Sequence, residues 1–281
     1  MKIAIVAGEA SGDLLGSHLM AALKKHHPHI EFIGIGGPKM IREGAKSLFP
    51  IERLSVRGYV EVIKHLPGLL KLRRALLQQV LASAPDAFIG VDAPDFNFWL
   101  EKRLKNKGIP AIHYVSPSIW AWRKGRIGAI KKAVSHILAL FPFEPAIYQK
   151  AGIPVTYVGH PLADILPIVP NVIEAREALK LKTAQTVIAM LPGSRQGEVE
   201  QHAALFIQAA HRINLSLIEE GKNETVFLVP LITRETREIF ENQLHQFLIH
   251  LPENVPSPPI TVMFGHAHEA MEAADLVIVA S

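Results

Sequence analysis

Short apolar runs rich in β-branched residues alternate along the chain with longer stretches in which apolar and polar residues recur at helical spacing. Such runs are typical of buried parallel strands, and the stretches between them are typical of helices that cover a sheet. The alternation predicts an α/β fold built on parallel sheets. The predicted strands are residues 2–7, 30–35, 86–91, 109–115, 135–140, 155–158, 187–191, 225–229, 260–264 and 276–280.

One segment interrupts this alternation. Residues 161–170 contain three prolines and show no clear periodicity, so we place a domain boundary there. The alternation restarts after it with a short helix near residues 173–179. We therefore predict two Rossmann-like, doubly wound parallel-sheet domains, residues 1–165 and 166–281, with the working site in the cleft between them.

Residues 57–81 carry more apolar side chains than one narrow helical stripe needs, and Pro67-Gly68 is expected to interrupt their helix. We interpret the second half as an amphipathic helix that packs on the sheet. The first half, residues 60–70, is interpreted as an exposed apolar patch rimmed by cations, which would lie on a membrane or hold acyl chains. The residues assigned to this patch are Val60, Ile63, Leu66, Leu69 and Leu70.

Composition narrows the class of protein. The chain has 281 residues, 49% of them hydrophobic, and no cysteine, which excludes disulfides and thiolate sites. The histidines show no strong ligand spacing, so we predict neither a metal nor a cofactor. No apolar stretch reaches the roughly 20 residues of a spanning helix, and a signal-peptide core is missing, so we predict a cytoplasmic protein.

The net charge of +4 favours anionic partners, and nucleic acid, anionic lipid and phosphorylated small molecules are all compatible with it. A basic segment after the strand at 109–115 carries two tryptophans and has the same range of partners. The last predicted strand is followed by a single residue, although ligand loops follow the carboxyl ends of strands in α/β folds. We therefore expect a truncated chain whose second domain is incomplete.

Polar residues follow two of the predicted strands in the first domain. The loop after residues 2–7 contains Ser11 and Asp13, either of which can cap the next helix. The glycine spacing of this loop differs from G-x-G-x-x-G, which argues against a nicotinamide-dependent oxidoreductase. Asp92, Asp95 and Asn97 follow the strand at 86–91, at the edge where open α/β sheets bind ligands. Asp95 fits a helix cap, whereas Asp92 is interpreted as functional.

In the second domain, the strand at 187–191 leads through Pro192-Gly193-Ser194 and Arg195 into a helical sequence. A helix start attracts anions through its unpaired N–H groups and its dipole, and an arginine adds donors suited to phosphate. The sequence therefore predicts an anion-binding loop here, with an ordinary strand-to-helix turn as the alternative.

Six segments of the chain, in this order, carry a resemblance to a known family: GEASGDLLG, FIGVDAPDFNF, HYVSPSIWAWRKGRI, LFPFE, YVGHPLAD and LPGSRQGEVEQH. They resemble the lipid-A-disaccharide synthases and span nearly the whole chain. The resemblance implies an inverting glycosyltransferase of the GT-B type that joins UDP-2,3-diacylglucosamine to 2,3-diacylglucosamine 1-phosphate and releases UDP. It implies an acceptor- and lipid-binding first domain and a nucleotide-sugar-binding second domain. It further implies peripheral contact with the anionic cytoplasmic face of the inner membrane and no nucleic-acid partner, and it is compatible with a homodimer.

The resemblance also implies roles for individual residues. Asp92 matches the family's proposed base position, Glu9 is the other acid candidate near the acceptor, and Arg195 would neutralise the departing diphosphate. Further residues are assigned to substrate binding together with the apolar patch: Ser11, Asp95, Asn97, Ser116, Trp120, Gly193 and Ser194. Two alternatives stay open, a non-catalytic lipid- or membrane-binding fragment and another UDP-sugar enzyme of the same fold. A UDP-sugar epimerase would share the architecture without the DAPDFN and SPSIWAW segments.

Overall fold

The computed structural model describes residues 1–54, 59–118, 124–222 and 224–280. The chain divides into two compact units, Met1–Leu166 and Pro167–Ser281. Each unit is built on one parallel sheet covered by helices, which confirms the predicted α/β fold class. Among the helices of the described part, none is both long enough and apolar enough to span a bilayer.

The first unit contains seven strands within the described residues, in the order β3-β2-β1-β4-β5-β6-β7, and all its strand pairs are parallel. Strand β3 was not predicted, because three residues are too few to form a recognisable apolar run. The strands are β1 (Lys2–Ala7), β2 (Glu31–Ile35), β3 (Ala45–Ser47), β4 (Ala87–Val91), β5 (Ala111–Tyr114), β6 (His136–Ala139) and β7 (Val155–Tyr157).

Helices join successive strands of this sheet and cover it. Short 3-10 turns occur at Ile51–Arg53 and Lys124–Arg126. The helices are α1 (Ala10–His26), α2 (Pro38–Arg42), α3 (Tyr59–Ala82), α4 (Pro94–Lys105), α5 (Ile127–Ala133), α6 (Glu144–Lys150) and α7 (Leu162–Ile165).

The second unit has four described strands in the order β10-β9-β8-β11, again all parallel. Its strands are β8 (Thr186–Leu191), β9 (Thr225–Leu231), β10 (Ile260–Phe264) and β11 (Leu276–Val279). Its helices are α8 (Val172–Ala178), α9 (Gln196–Glu219), α10 (Arg234–Ile249) and α11 (Ala267–Ala273). Strand β9 is buried along its whole length, as expected for a central strand covered on both faces.

Helix α3 corrects one prediction, because it runs through Pro67 without a break. Proline removes one helical hydrogen bond and would be expected to kink or end the helix. The turns after it are held by tertiary packing, since Leu72, Leu76 and Val80 are buried in the first unit. Packing of this kind routinely overrides local propensity.

The capping role predicted for Ser11 or Asp13 at the start of α1 is also wrong, because both lie inside the helix. Helix α1 begins at Ala10 with Glu9 as its N-cap, which places Asp13 in the first turn. Its buried carboxylate instead accepts hydrogen bonds from the N–H groups at the start of α2. The donors are Gly37 (2.8 Å), Lys39 (2.9 Å) and Met40 (3.0 Å). Asp13 therefore ties α1 to α2, a contact between segments too distant in sequence to be read from local patterns.

Candidate active site

The strand order of the first sheet reverses between β1 and β4, which are hydrogen-bonded neighbours. In open α/β sheets, ligands bind beyond the carboxyl ends of the strands at such a switch point. The loop after β1 carries Glu9, which is half-buried, and Ser11, which is exposed in the first turn of α1. The loop after β4 carries Asp92. The fold therefore brings the two candidate acids, Glu9 and Asp92, to one edge of the sheet.

The turn that carries Asp92 has an unusual backbone. Asp92 and Ala93 are both left-handed, with φ of 52° and 45°. This region costs a non-glycine residue on the order of 1–2 kcal/mol, although aspartate tolerates it better than most. The turn is held at both ends, because the Asp92 N–H donates to the Tyr114 carbonyl (2.8 Å) and the Asn97 amide donates to the Asp92 carbonyl (2.8 Å). Strained backbone of this kind is concentrated at functional sites.

Asp92 is half-buried. Within the described part of the chain, no hydrogen bond or ion pair engages its carboxylate. Asp95 differs in both respects, because its side chain is 74% exposed and pairs with Arg126. The N-cap of α4 is Ala93, so the capping role predicted for Asp95 is wrong. An unengaged carboxylate on a backbone turn that is held at both ends is the arrangement a proton acceptor needs.

Asn97 and Ser116, both assigned to substrate binding, have side chains that face the protein interior. Asn97 is fully buried, and its amide nitrogen donates to backbone carbonyls of Asp92 and Val6, the latter at 3.3 Å. Ser116 is buried and its hydroxyl hydrogen-bonds the Tyr148 hydroxyl at 2.7 Å. Burial raises the pKa of Tyr148 to about 12, so this phenol stays protonated at neutral pH. Asn97 therefore holds the turn at Asp92, and Ser116 holds the loop after β5 to Tyr148.

The apolar patch of residues 60–70 is described only in part, because the side chains of Val60 and Ile63 lie outside the described residues. Trp120, which was assigned to substrate binding, also lies outside them. Leu69 is half-buried, whereas Leu66 and Leu70 are 46% and 37% exposed.

In the second unit, Pro192, Gly193 and Ser194 lie between the end of β8 and Arg195, the N-cap of α9. Gly193 has φ of 148°, and a Cβ there would come within 2.5 Å of the Glu198 Cβ, so a side chain is excluded at this position. His202 donates from Nδ1 to the Pro192 carbonyl at 2.9 Å and thereby anchors the loop to α9. The strand order of this sheet also reverses at β8, between β9 and β11.

Sequence reasoning did not identify Glu198, which organises this loop. Its Oε2 accepts from the N–H groups of Ser194 (3.0 Å) and Arg195 (3.3 Å), and its Oε1 pairs with the Arg195 guanidinium (2.7 Å). Desolvation raises the pKa of Glu198, but the donated hydrogen bonds and the Arg195 charge outweigh it and hold the pKa below its ordinary range. The loop donors therefore converge on an anion. The capping-box spacing, an acid three residues after the N-cap, was the available signal.

A second feature that sequence reasoning missed is a buried pair behind the Asp92 turn, Glu101 of α4 and His113 of β5. Their side chains are fully buried and joined by a 2.7 Å contact between Glu101 Oε1 and His113 Nδ1. Burial raises the pKa of the Glu101 carboxyl, against the opposing influence of His113. A histidine inside an otherwise apolar strand was the only local signal.

The architecture is similar to that of solved nucleotide-sugar proteins. The chain matches the UDP-GlcNAc 2-epimerase of Neisseria meningitidis with a TM-score of 0.59, over 100% of this chain and 78% of that one, at 13% identity. It matches an α,α-trehalose-phosphate synthase (UDP-forming) from Burkholderia vietnamiensis with a TM-score of 0.54, over 99% and 82% of the two chains, at 12% identity. At such low identity the likeness concerns the fold alone.

The two parallel-sheet units and their likeness to these structures give the chain a GT-B-like fold. The family model for lipid-A-disaccharide synthetase matches residues 3–281, and the chain belongs to this family. It is therefore a glycosyltransferase with lipid-A-disaccharide synthase activity in lipid A biosynthesis, which confirms the function inferred from the resemblance.

Two relatives illustrate the closeness of the match. The lipid-A-disaccharide synthase of Methylobacillus flagellatus is 62% identical over 279 residues, which cover 99% of this chain and 71% of that protein. The enzyme of Aromatoleum aromaticum is 57% identical over 280 residues, which cover 100% of this chain and 69% of that protein.

Proposed function

We propose that Asp92 is the general base of the glycosyl transfer. The observation that carries this assignment is the position of Asp92, a half-buried residue at the switch point of the first sheet, on a turn held by hydrogen bonds and with a carboxylate that no described residue engages. The acceptor's 6-hydroxyl must lose a proton as it attacks the anomeric carbon of the donor sugar. Asp92 accepts that proton while the new carbon–oxygen bond forms and the bond to the UDP oxygen breaks, with inversion at the anomeric carbon. Glu9, at the same edge, is the alternative acid.

We propose that Arg195 stabilises the leaving group, UDP. The departing UDP gains negative charge on its diphosphate, and a cation aimed at that charge stabilises the transition state. Support comes from the Arg195 side chain, which is more than half exposed, and from the loop N–H groups that already bind a carboxylate. Gly193 and Ser194 would contribute N–H or hydroxyl contacts to the same phosphates, in competition with Glu198. On this proposal the first unit binds the acceptor and the second binds the nucleotide sugar.

A UDP-release assay with both lipid sugars tests this mechanism. We expect UDP only when donor and acceptor are both present, together with a β-linked disaccharide identified by its anomeric proton coupling. UDP release from the donor alone would contradict attack by the acceptor hydroxyl. An α-linked product would contradict a single inverting displacement.

We further propose that the amino-terminal half of α3 contacts the anionic membrane surface. Leu66, Leu70 and Arg73 follow one another at spacings of four and three residues, so they lie on one face of the helix. The two exposed leucines would enter the lipid boundary, and Arg73 would face the headgroups beside them. This interpretation supports a peripheral location for the protein.

The surroundings of Arg73 support an anionic partner. The guanidinium groups of Arg73 and Arg103 lie 4.3 Å and 3.5 Å from the centre of the Trp99 ring. Desolvation, followed by the neighbouring charges of Arg103 and Arg74, lowers the pKa of Arg73. Cations gathered in this way repel one another, and a phosphate would relieve that repulsion.

Replacing Leu66 and Leu70 together with glutamate is expected to weaken vesicle binding by at least tenfold. Burying one leucine side chain is worth roughly 1.5–3 kcal/mol, and both contributions would be lost. The measurement is sedimentation with vesicles of phosphatidylethanolamine and phosphatidylglycerol. The double change Leu248→Glu with Ile249→Glu, at exposed positions of α10, is the matched control and should leave binding unchanged. If both double variants bind the vesicles as well as the unmodified protein does, α3 does not contact the membrane.

A further inference from the structure

The buried pair of Glu101 and His113 lies directly behind β4, the strand that precedes Asp92. His113 of β5 is the register partner of Gly90 in β4, two residues before Asp92. Glu101 reaches the same place from α4. Both side chains are fully buried, so neither can contact a substrate in this conformation.

Gly90 is what allows α4 to approach the strand so closely. A Cβ on this residue would lie 2.2 Å from Glu101 Oε1 and 2.9 Å from the Asn97 Cβ. Glu101 and Asn97 are four residues apart on α4, so they lie on the same face of that helix. The missing side chain of Gly90 therefore leaves room for both polar residues against the backbone of β4.

Three polar atoms of this cluster have no hydrogen-bond partner among the residues that the structure describes: Asn97 Oδ1, Glu101 Oε2 and His113 Nε2. Buried polar groups normally find partners, and a buried charged pair is a poor source of stability. The cluster is therefore difficult to explain as core packing alone. Burial raises the pKa of the Glu101 carboxyl, which favours a proton on Oε2 and would make that atom a donor beside the Asn97 amide.

We propose that Glu101 and His113 are positioning residues for Asp92, acting through Asn97. His113 fixes Glu101, Glu101 packs beside Asn97 in the space that Gly90 leaves, and the Asn97 amide holds the Asp92 carbonyl at 2.8 Å in the strained turn. The Asn97 contact to the Val6 carbonyl ties the same turn to the end of β1. This inference rests on the proposed role of Asp92 as the base.

Three variants test the inference by steady-state kinetics of UDP release. Glu101→Leu removes the link to Asn97 and is expected to lower kcat on the order of 10- to 100-fold, the cost of about 1 Å of misplacement, with little change in KM. Glu101→Gln should keep kcat within about threefold, because its amide can donate to Asn97 Oδ1 and accept from His113. Leu104→Ala, one turn further on α4 and equally buried, should lower the melting temperature but leave kcat per folded molecule unchanged.

A double variant guards against misfolding of Glu101→Leu. Glu101→Leu combined with His113→Leu replaces the buried pair by apolar side chains, which proteins often accept without loss of stability. We expect it to fold and to show the same fall in kcat. A folded double variant with unchanged kcat would overturn the positioning role, as would a fall in kcat for Leu104→Ala equal to that for Glu101→Leu.

Asp92→Asn, measured in the same assay, separates a failure of the positioning role from a failure of the proposed base. If Asp92→Asn loses turnover while Glu101→Leu keeps it, the positioning role fails and the proposed base stands. If Asp92→Asn keeps full turnover, the proposed base fails, and the positioning role is overturned with it.

Discussion

Asp92→Asn is expected to lower kcat on the order of 10²- to 10⁴-fold, the usual contribution of a positioned general base. Asparagine has the size of aspartate and tolerates left-handed backbone, so the turn at φ of 52° should persist. The change therefore removes the proton acceptor and little else. Steady-state UDP release measures the turnover, and calorimetry with UDP should give an unchanged dissociation constant.

The matched control for this variant lies at the other end of the same strand. Asp86 precedes β4, and its carboxylate accepts a hydrogen bond from the Lys2 N–H at 2.7 Å. Asp86→Asn keeps an acceptor oxygen and should leave turnover unchanged. Full activity of Asp92→Asn, together with an inactive Glu9→Gln, would transfer the base assignment to Glu9.

Arg195→Ala is expected to lower kcat on the order of 10²- to 10³-fold, the usual cost of losing one preorganised donor to transition-state charge. The pair with Glu198 is exposed, and exposed pairs contribute little stability, so the melting temperature should barely change. The measurements are UDP-release kinetics at saturating sugars and a thermal melt.

Arg237→Ala provides the comparison for this variant. Arg237 pairs with Glu241 at 2.7 Å, the distance that also joins Arg195 to Glu198, but it lies within α10 rather than at a loop after a strand. We expect full turnover from Arg237→Ala. If Arg195→Ala retains turnover within a few fold, the diphosphate must be stabilised by other groups. The loop of residues 192–195 is then an ordinary strand-to-helix turn.

Much of the fold could be predicted because its signals are local. Runs such as residues 2–7 and 225–229 are apolar over the length of a strand, and the intervening helices have the matching periodicity. The prediction missed a strand where the local signal was weak, and it interrupted a helix where tertiary packing overrides the local signal. Strand β3 is too short to form a pattern, and Pro67 lies in a helix whose later turns are held by packing.

For the candidate site, the sequence predicted which loops carry the functional residues but not the direction of each side chain. Asp92 and Arg195 each follow an apolar run, and the carboxyl end of a parallel strand is the general location of ligand loops. The direction of a side chain is not a local property. Asn97 belongs to the same motif as Asp92, yet its amide is fully buried, and Asp13 serves a helix that begins 25 residues further on at Pro38.

The sequence by itself determined the alternating α/β architecture, the loops that carry Asp92 and Arg195, and through its motifs the family. These follow from composition and spacing within short windows of the chain. Only the tertiary structure decided which side chains meet: Glu101 with His113 across Gly90, Asn97 with the Asp92 carbonyl, and Glu198 with the loop donors. The contact of Glu101 with His113 depends on strand register, which places His113 of β5 beside Gly90 of β4. The other two contacts join residues within five positions of each other, and they depend on the direction of each side chain, which the sequence pattern does not state.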